Sequence, residues 1–254
     1  MCHDYDAQPP IYSDPVTSAE SADLVLTGVD GASFAAYRAT PAHVTGRAVL
    51  ILPDNRGLSG FYESLAIRLA EQGHPALAID YFGRTAGLDH RARGGFDDLT
   101  TVMPHLMALS RPGLYGDIAA GIAALRTLGT AAHPEVAALG FCFGGRLAFL
   151  TADPSYGLSR VIGLYGALDE INGSPGPNQV AASLRTPILG LFGGADPGIP
   201  AAAVDRFGQA LTDAGTPHDL VVYPDAPHSF FDLHHQEHRQ TSADAWRRIL
   251  SFLD

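Results

Sequence analysis

The run Leu139-Gly140-Phe141-Cys142-Phe143-Gly144-Gly145 constrains this chain more than any other stretch. It follows an apolar segment, Glu135 to Leu139, and precedes a helix-forming one from Arg146 onward. A strand must therefore become a helix within a few residues, and the corner residue is forced out on a strained turn. Glycines flank the corner because a Cβ there would strike the neighbouring strand or helix. The following helix aims its N-terminus at Cys142, with unpaired N–H groups and the positive end of its dipole. A thiol so placed is favoured as thiolate, and an oxyanion formed beside it is favoured too. Taken alone, a cysteine between two phenylalanines is an ordinary small buried residue.

Two later segments change that balance. Pro187-Ile188-Leu189-Gly190-Leu191-Phe192-Gly193-Gly194-Ala195-Asp196 reads as a buried strand, two glycines and an acid. Leu220-Val221-Val222-Tyr223-Pro224-Asp225-Ala226-Pro227-His228-Ser229-Phe230 reads as a strand and then a turn carrying a histidine. In isolation Asp196 is a turn former and His228 a surface or core histidine. Together with Cys142 they run in the order nucleophile, acid, base, each just past the C-terminal end of an expected strand. That is the α/β-hydrolase order. Loops at the carboxyl ends of strands in open α/β sheets converge on one crevice, so the three can meet there.

Period and punctuation predict the remaining elements. Ala22 to Gly28 and Ser33 to Arg38 form a hairpin joined at Asp30-Gly31. Strands are expected at Arg47–Leu52, Pro75–Ile79, Val136–Leu139 and Val161–Leu164. Helices are expected at Phe61–Gln72, Asp117–Leu128, Pro200–Ala214 and Thr241–Leu253. Strand and helix alternate, so the expected fold is α/β, with a mainly parallel central sheet and helices on both faces. The expected organisation is an N-terminal arm over residues 1–21 and a single α/β domain over 22–254. Thr85 to Met107 reads as a mobile loop with a helix over the crevice, hinged at Gly94-Gly95.

Composition narrows the function. The chain has 254 residues, 46% of them hydrophobic, enough to bury a full core. No apolar stretch is long enough to span a membrane. The first residues carry Asp4, Asp6, Asp14 and Glu20 with three prolines, unlike a secretory signal. Two cysteines give no disulfide framework, and a reactive thiol suits a reducing compartment, so a cytoplasmic location is expected. Net charge is −11 with no basic run, which argues against nucleic acid as a partner. All 16 basic residues are arginine. Without lysine there is no Schiff-base nucleophile, no pyridoxal-phosphate anchor and no Walker lysine. No cofactor and no metal are expected, and the chain is expected to act as a monomer or small homo-oligomer on a small-molecule substrate.

The Gly-Phe-Cys-Phe-Gly-Gly elbow, the Gly-Gly-Ala-Asp loop and the Pro-His-Ser-Phe turn resemble the dienelactone hydrolase family, from about Ala22 to the C-terminus. The resemblance implies an α/β-hydrolase fold and hydrolysis of a carboxylic ester or lactone through an acyl-cysteine. It implies Cys142 as nucleophile, His228 as base and Asp196 as the group that orients the imidazole. It implies an oxyanion hole from the backbone N–H groups of Phe143 and Arg56, the Arg56 side chain being a solvated loop charge. Substrate contacts are expected from Asn55, Arg84, Phe143 and Phe230.

Departures from the family are informative. Founding members carry a glutamate where this chain has Asn55. They bind a substrate carboxylate with arginines at positions that fall here on Asp232 and Leu99. Arg84, Arg91 and Arg93 are the nearby substitutes. An acidic crevice containing Asp232 repels anions, so a neutral ester or lactone is expected. A thioesterase or peptidase on the same triad, or a non-catalytic redox-responsive binding protein, are the alternatives. His234-His235-Gln236-Glu237-His238 matches an H-x-x-E-H zinc pattern, but reads as a polar loop and helix start.

Overall fold

Three short apolar runs, Ala48–Leu52, Val136–Phe141 and Ile188–Gly193, are buried at every position. Continuous burial is what parallel strands covered on both faces require. The computed structural model describes residues 8–10, 12–128 and 135–254. They form two compact units, divided after Val136.

The first unit contains β1 (Ala19–Thr27), β2 (Ser33–Pro41), β3 (Ala48–Leu52) and β4 (Ala76–Ile79), in the order β1-β2-β4-β3. β1 and β2 are the expected hairpin, turning at Asp30-Gly31, with Ala19 opposite Pro41 and Thr27 opposite Ser33. β2 is antiparallel to β4 and β3 is parallel to β4. The helices are α1 (Gly60–Glu71), α2 (Gly83–Ala86), α3 (Leu99–Met107) and α4 (Arg111–Leu128). α1 is the crossover between β3 and β4 and buries Phe61, Tyr62, Leu65, Ala66, Leu69 and Ala70, the i, i+4 face its sequence specifies. α4 lies on β3 and β4, close enough that a Cβ on Gly121 would touch Leu50 and Ile79.

The second unit contains β5 (Val136–Phe141), β6 (Arg160–Leu164), β7 (Ile188–Gly193) and β8 (His218–Tyr223), all parallel and in chain order. Its helices are α5 (Phe143–Leu150), α6 (Pro177–Val180), α7 (Ala201–Asp213) and α8 (Arg239–Leu253). Successive right-handed crossovers in one direction set α5 and α7 on the same face. Their contact is Phe149 against Phe207, ring centroids 5.5 Å apart. α8 follows the last strand and packs on β6 and β7, with Trp246 beside Phe231. Of the six pairings within the units, four are parallel, as the alternation of elements implies.

The segment read as a mobile loop with a helix holds a helix, α3, after α2 and a single turn at His90–Ala92. Arg93 anchors it through two 2.7 Å bonds to Asp80, and Phe96 packs edge-on against Phe82 at 5.7 Å. Of the expected hinge glycines, Gly95 takes a positive φ of 81°. No helix among the described residues is long and apolar enough to cross a membrane.

Candidate active site

The second unit carries Cys142, Asp196 and His228 beyond the carboxyl ends of β5, β7 and β8 respectively. Cys142 follows β5 directly and caps α5 with φ 53° and ψ −111°, a conformation that L-residues rarely hold. Two bonds keep it there. Its N–H donates to the Leu164 carbonyl at 3.0 Å, and its carbonyl accepts the Arg146 N–H at 3.0 Å. A Cβ on Gly140 would stand 2.0 Å from the Gly144 oxygen, and one on Gly145 would stand 2.5 Å from the Leu164 oxygen. Both glycines are therefore steric requirements of the corner. The thiol is free and half-buried, at the N-terminus of an eight-residue helix. Phe143 is the first residue of that helix.

The acid and histidine loops are stitched to each other. The Gly194 N–H donates to the Tyr223 carbonyl at 2.7 Å, and the Ala195 N–H to the Ala226 carbonyl at 3.0 Å. A Cβ on Gly193 would lie 2.4 Å from the Ala226 oxygen, so only glycine permits this approach. The result is a 2.6 Å hydrogen bond between Asp196 Oδ2 and His228 Nδ1. The second carboxylate oxygen accepts the Gly198 N–H at 2.8 Å. Asp196 is buried, and the His228 side chain keeps 35% of its surface exposed. One ring nitrogen is thus held by a buried carboxylate while the imidazole remains accessible.

Tyr165, which directly follows β6, lies against this histidine with ring centroids 5.0 Å apart. Its hydroxyl donates to Asp232 at 2.8 Å. Asp232 is 1% exposed, so it does not present the accessible negative charge expected of it. Phe230, expected to touch substrate, is fully buried between Tyr165 and Tyr223. It supports the tyrosine instead. Arg146 is a further buried group missed in the sequence. Its guanidinium donates to the carbonyls of Ala167, Ser174 and Pro175 and so pins the loop after β6.

The first unit corrects several expectations. The Arg56 N–H, expected as an oxyanion donor, is taken by Asp54 Oδ1 at 2.9 Å. Its side chain is buried, not solvated, and pairs with Asp54 Oδ2 at 2.9 Å. An aspartate two residues upstream closes this tight turn, which is why the donor points inward. Asn55 is half-buried, and its Oδ1 is a buried oxygen without a hydrogen-bond partner. Arg84, expected to contact substrate, is held by Asp117 and by both oxygens of Asp30, at 2.8 and 2.9 Å. Arg91 bridges Asp23 and Glu63, and Arg93 is bidentate to Asp80. Leu99 is the exposed first residue of α3.

The zinc-like pattern does not assemble. His234 sits 3.5 Å from Glu237, and His238 precedes α8. Among the described residues, the one cluster of three metal-capable groups is Asp23, Glu63 and His90. Arg91 already places its charge on both of those carboxylates.

The chain matches the family described as the dienelactone hydrolase family over residues 34–254. It is 32% identical to a "Putative carboxymethylenebutenolidase" from Methylorubrum extorquens, over 84% of this chain and 74% of that one. It is 28% identical to a "Probable 2-oxo-3-(5-oxofuran-2-ylidene)propanoate lactonase" from Bradyrhizobium, over 93% and 95%. Among solved structures it is similar to a "Putative Dienelactone Hydrolase" from Klebsiella pneumoniae, with a TM-score of 0.80, 26% identity, and coverage of 93% and 98%. The fold is that of the α/β-hydrolases. The chain belongs to the dienelactone hydrolase family, hydrolases that act on ester bonds.

Proposed function

We propose that the protein hydrolyses small neutral esters or lactones through an acyl-cysteine. The observation that carries the reading is the 2.6 Å Asp196–His228 bond in the unit whose strained elbow presents Cys142. The Cys142 thiolate adds to the substrate carbonyl carbon, and the oxyanion is stabilised by the Phe143 N–H and the α5 dipole. The carbonyl–alkoxy bond then breaks, and His228 gives a proton to the leaving oxygen. In a lactone that oxygen stays tethered. His228 next removes a proton from water, which attacks the acyl-cysteine and releases the acid and the thiolate. Asp196 holds the imidazole in the tautomer that each step needs.

Neutral substrates are favoured because the arginines that could receive a carboxylate are committed. Arg84, Arg91 and Arg93 each hold at least one internal carboxylate. The decisive experiment measures neutral aryl esters, a neutral lactone and an anionic dienelactone with wild type and Cys142→Ala. Neutral substrates are expected to lead in kcat/KM by about tenfold or more, the scale of one lost ion contact. A burst of one leaving group per active site, absent in Cys142→Ala, is expected with activated esters. Full turnover by Cys142→Ala refutes the acyl-cysteine.

A further inference from the structure

We infer that Tyr165 is a positioning residue for His228, held in place by the buried carboxylate of Asp232. The inference rests on the reading of Cys142, Asp196 and His228 as the acting groups. The histidine directly precedes a turn that runs from Ser229 to Asp232, where the Asp232 N–H donates to the Ser229 carbonyl at 3.3 Å. Tyr165 touches the residue before that turn and the residue that closes it. Its ring faces His228 at 5.0 Å and 55°, and its hydroxyl donates to Asp232 Oδ2 at 2.8 Å. The other oxygen, Asp232 Oδ1, accepts the Leu233 N–H at 2.6 Å, which orients the carboxylate. A ring alone would leave the turn free to pivot about the contact. A ring and a hydroxyl bond fix two points of it.

The tyrosine is itself an anchored reference. It stands directly after β6 with φ 39°, a conformation kept only where the surroundings over-determine it. Its N–H donates to the Leu191 carbonyl of β7 at 2.8 Å, and its ring packs against Phe230 at 5.4 Å and Phe141 at 6.3 Å. It has no exposed surface. The residue before it, Leu164, supplies the carbonyl that accepts the Cys142 N–H. One dipeptide, Leu164-Tyr165, thus fixes the nucleophile's backbone on one side and the histidine turn on the other. Asp196 restrains Nδ1 of the imidazole, and Tyr165 restrains its face. Catalysis through a histidine depends on such placement, since small displacements of a reacting group are costly in rate.

The test uses the full-length enzyme. Tyr165→Phe keeps the ring and removes the hydroxyl that donates to Asp232. Its kcat for a neutral aryl ester is expected to fall about tenfold to a hundredfold, with KM held within about twofold. The low-field proton resonance of the His228 Nδ1–H bound to Asp196 is expected to broaden. Asp232→Leu should act alike, and Asp232→Asn, which keeps an acceptor oxygen, should recover most of the loss. If burial of the Asp232 carboxylate without the tyrosine hydroxyl impairs folding, Tyr165→Phe with Asp232→Leu removes that carboxylate, and the kcat defect should persist in the folded double variant. An unchanged kcat and Nδ1 signal in a folded Tyr165→Phe overturns the inference, as does a loss of stability with both readouts intact. Retained turnover in Cys142→Ala or His228→Ala, measured in parallel, overturns the underlying reading instead.

Discussion

Ser229 offers a stability experiment whose sign runs against intuition for a residue beside the histidine. It has φ 59° and is 2% exposed, and its Oγ is buried without a hydrogen-bond partner. Ser229→Ala removes only the orphaned hydroxyl, whose burial costs about 1–3 kcal/mol. Ser229→Gly also relieves the left-handed backbone, about 1–2 kcal/mol for an L-residue, against roughly 0.5–1 kcal/mol of extra unfolded-state entropy. Both variants should therefore be more stable than wild type, and glycine should exceed alanine by about 0.5–1 kcal/mol. For a chain of this size each 1 kcal/mol moves Tm by about 2–4 °C. Calorimetry with urea unfolding as a second measure resolves these steps. An alanine variant below wild type would show that the hydroxyl is satisfied. A glycine variant below alanine would show that the backbone stores no strain. Because Ser229 follows His228 directly, the glycine variant should lose severalfold in kcat while gaining stability, an exchange expected where a strained residue orients a reacting one.

Two other perturbations concern the elbow and a surface carboxylate. Gly140→Ala forces a Cβ to 2.0 Å from the Gly144 oxygen, so the elbow must shift; about 3 kcal/mol or more of stability should be lost in urea unfolding, with slower alkylation of Cys142. Burial pushes the Asp244 carboxyl up, but its bonds to Arg248, Arg247 and Tyr223 outweigh this and bring it down to about 2, from 3.8. A carboxyl whose folded pKa is depressed contributes stability above its unfolded pKa and loses it as pH falls through the folded value. Stability should thus decline between about pH 4 and pH 2, and the decline should be shallower in Asp244→Asn, as read from Tm against pH.

What could be read from the sequence was set by local patterning. The elbow, the two glycine-bearing loops and the buried strands carry their own signals in period and punctuation. The helix expected from Asp117 begins at Arg111 because Pro112 lies in its first turn, where a missing N–H costs nothing, and Ser110 Oγ accepts the Gly113 N–H. β1 begins at Ala19, three residues early, since a half-exposed edge strand has weak alternation. The bounds of α3 were obscured by Pro104 in its interior and by Leu99, Met103 and Met107, which it leaves exposed. The arginines failed for a different reason. Arg84 meets Asp117 and Asp30 across 33 and 54 residues, and Arg93 meets Asp80 across 13. Nothing local announces such pairs. Tyr165 and Asp232, 67 residues apart, were hidden in the same way.

Those pairings bear directly on substrate charge. With no lysine, every cation here is a guanidinium, a planar fork that can hold two carboxylates at once. Arg84 and Arg91 each do so, and Arg56 and Arg93 are committed to Asp54 and Asp80 in nearly full burial. At Arg56 or Arg93 an incoming carboxylate would have to displace a buried internal one, and breaking such a pair costs about 3–5 kcal/mol. It would also approach a chain of net charge −11. Repulsion of that kind is long-ranged and screened by salt, with a Debye length of about 10 Å at 0.1 M. The kcat/KM for an anionic lactone should therefore rise as ionic strength increases from about 0.01 to 0.3 M, while that for a neutral ester stays flat. If the anionic rate falls with salt instead, an attractive cation serves the substrate, and one of the paired arginines must release its carboxylate during turnover.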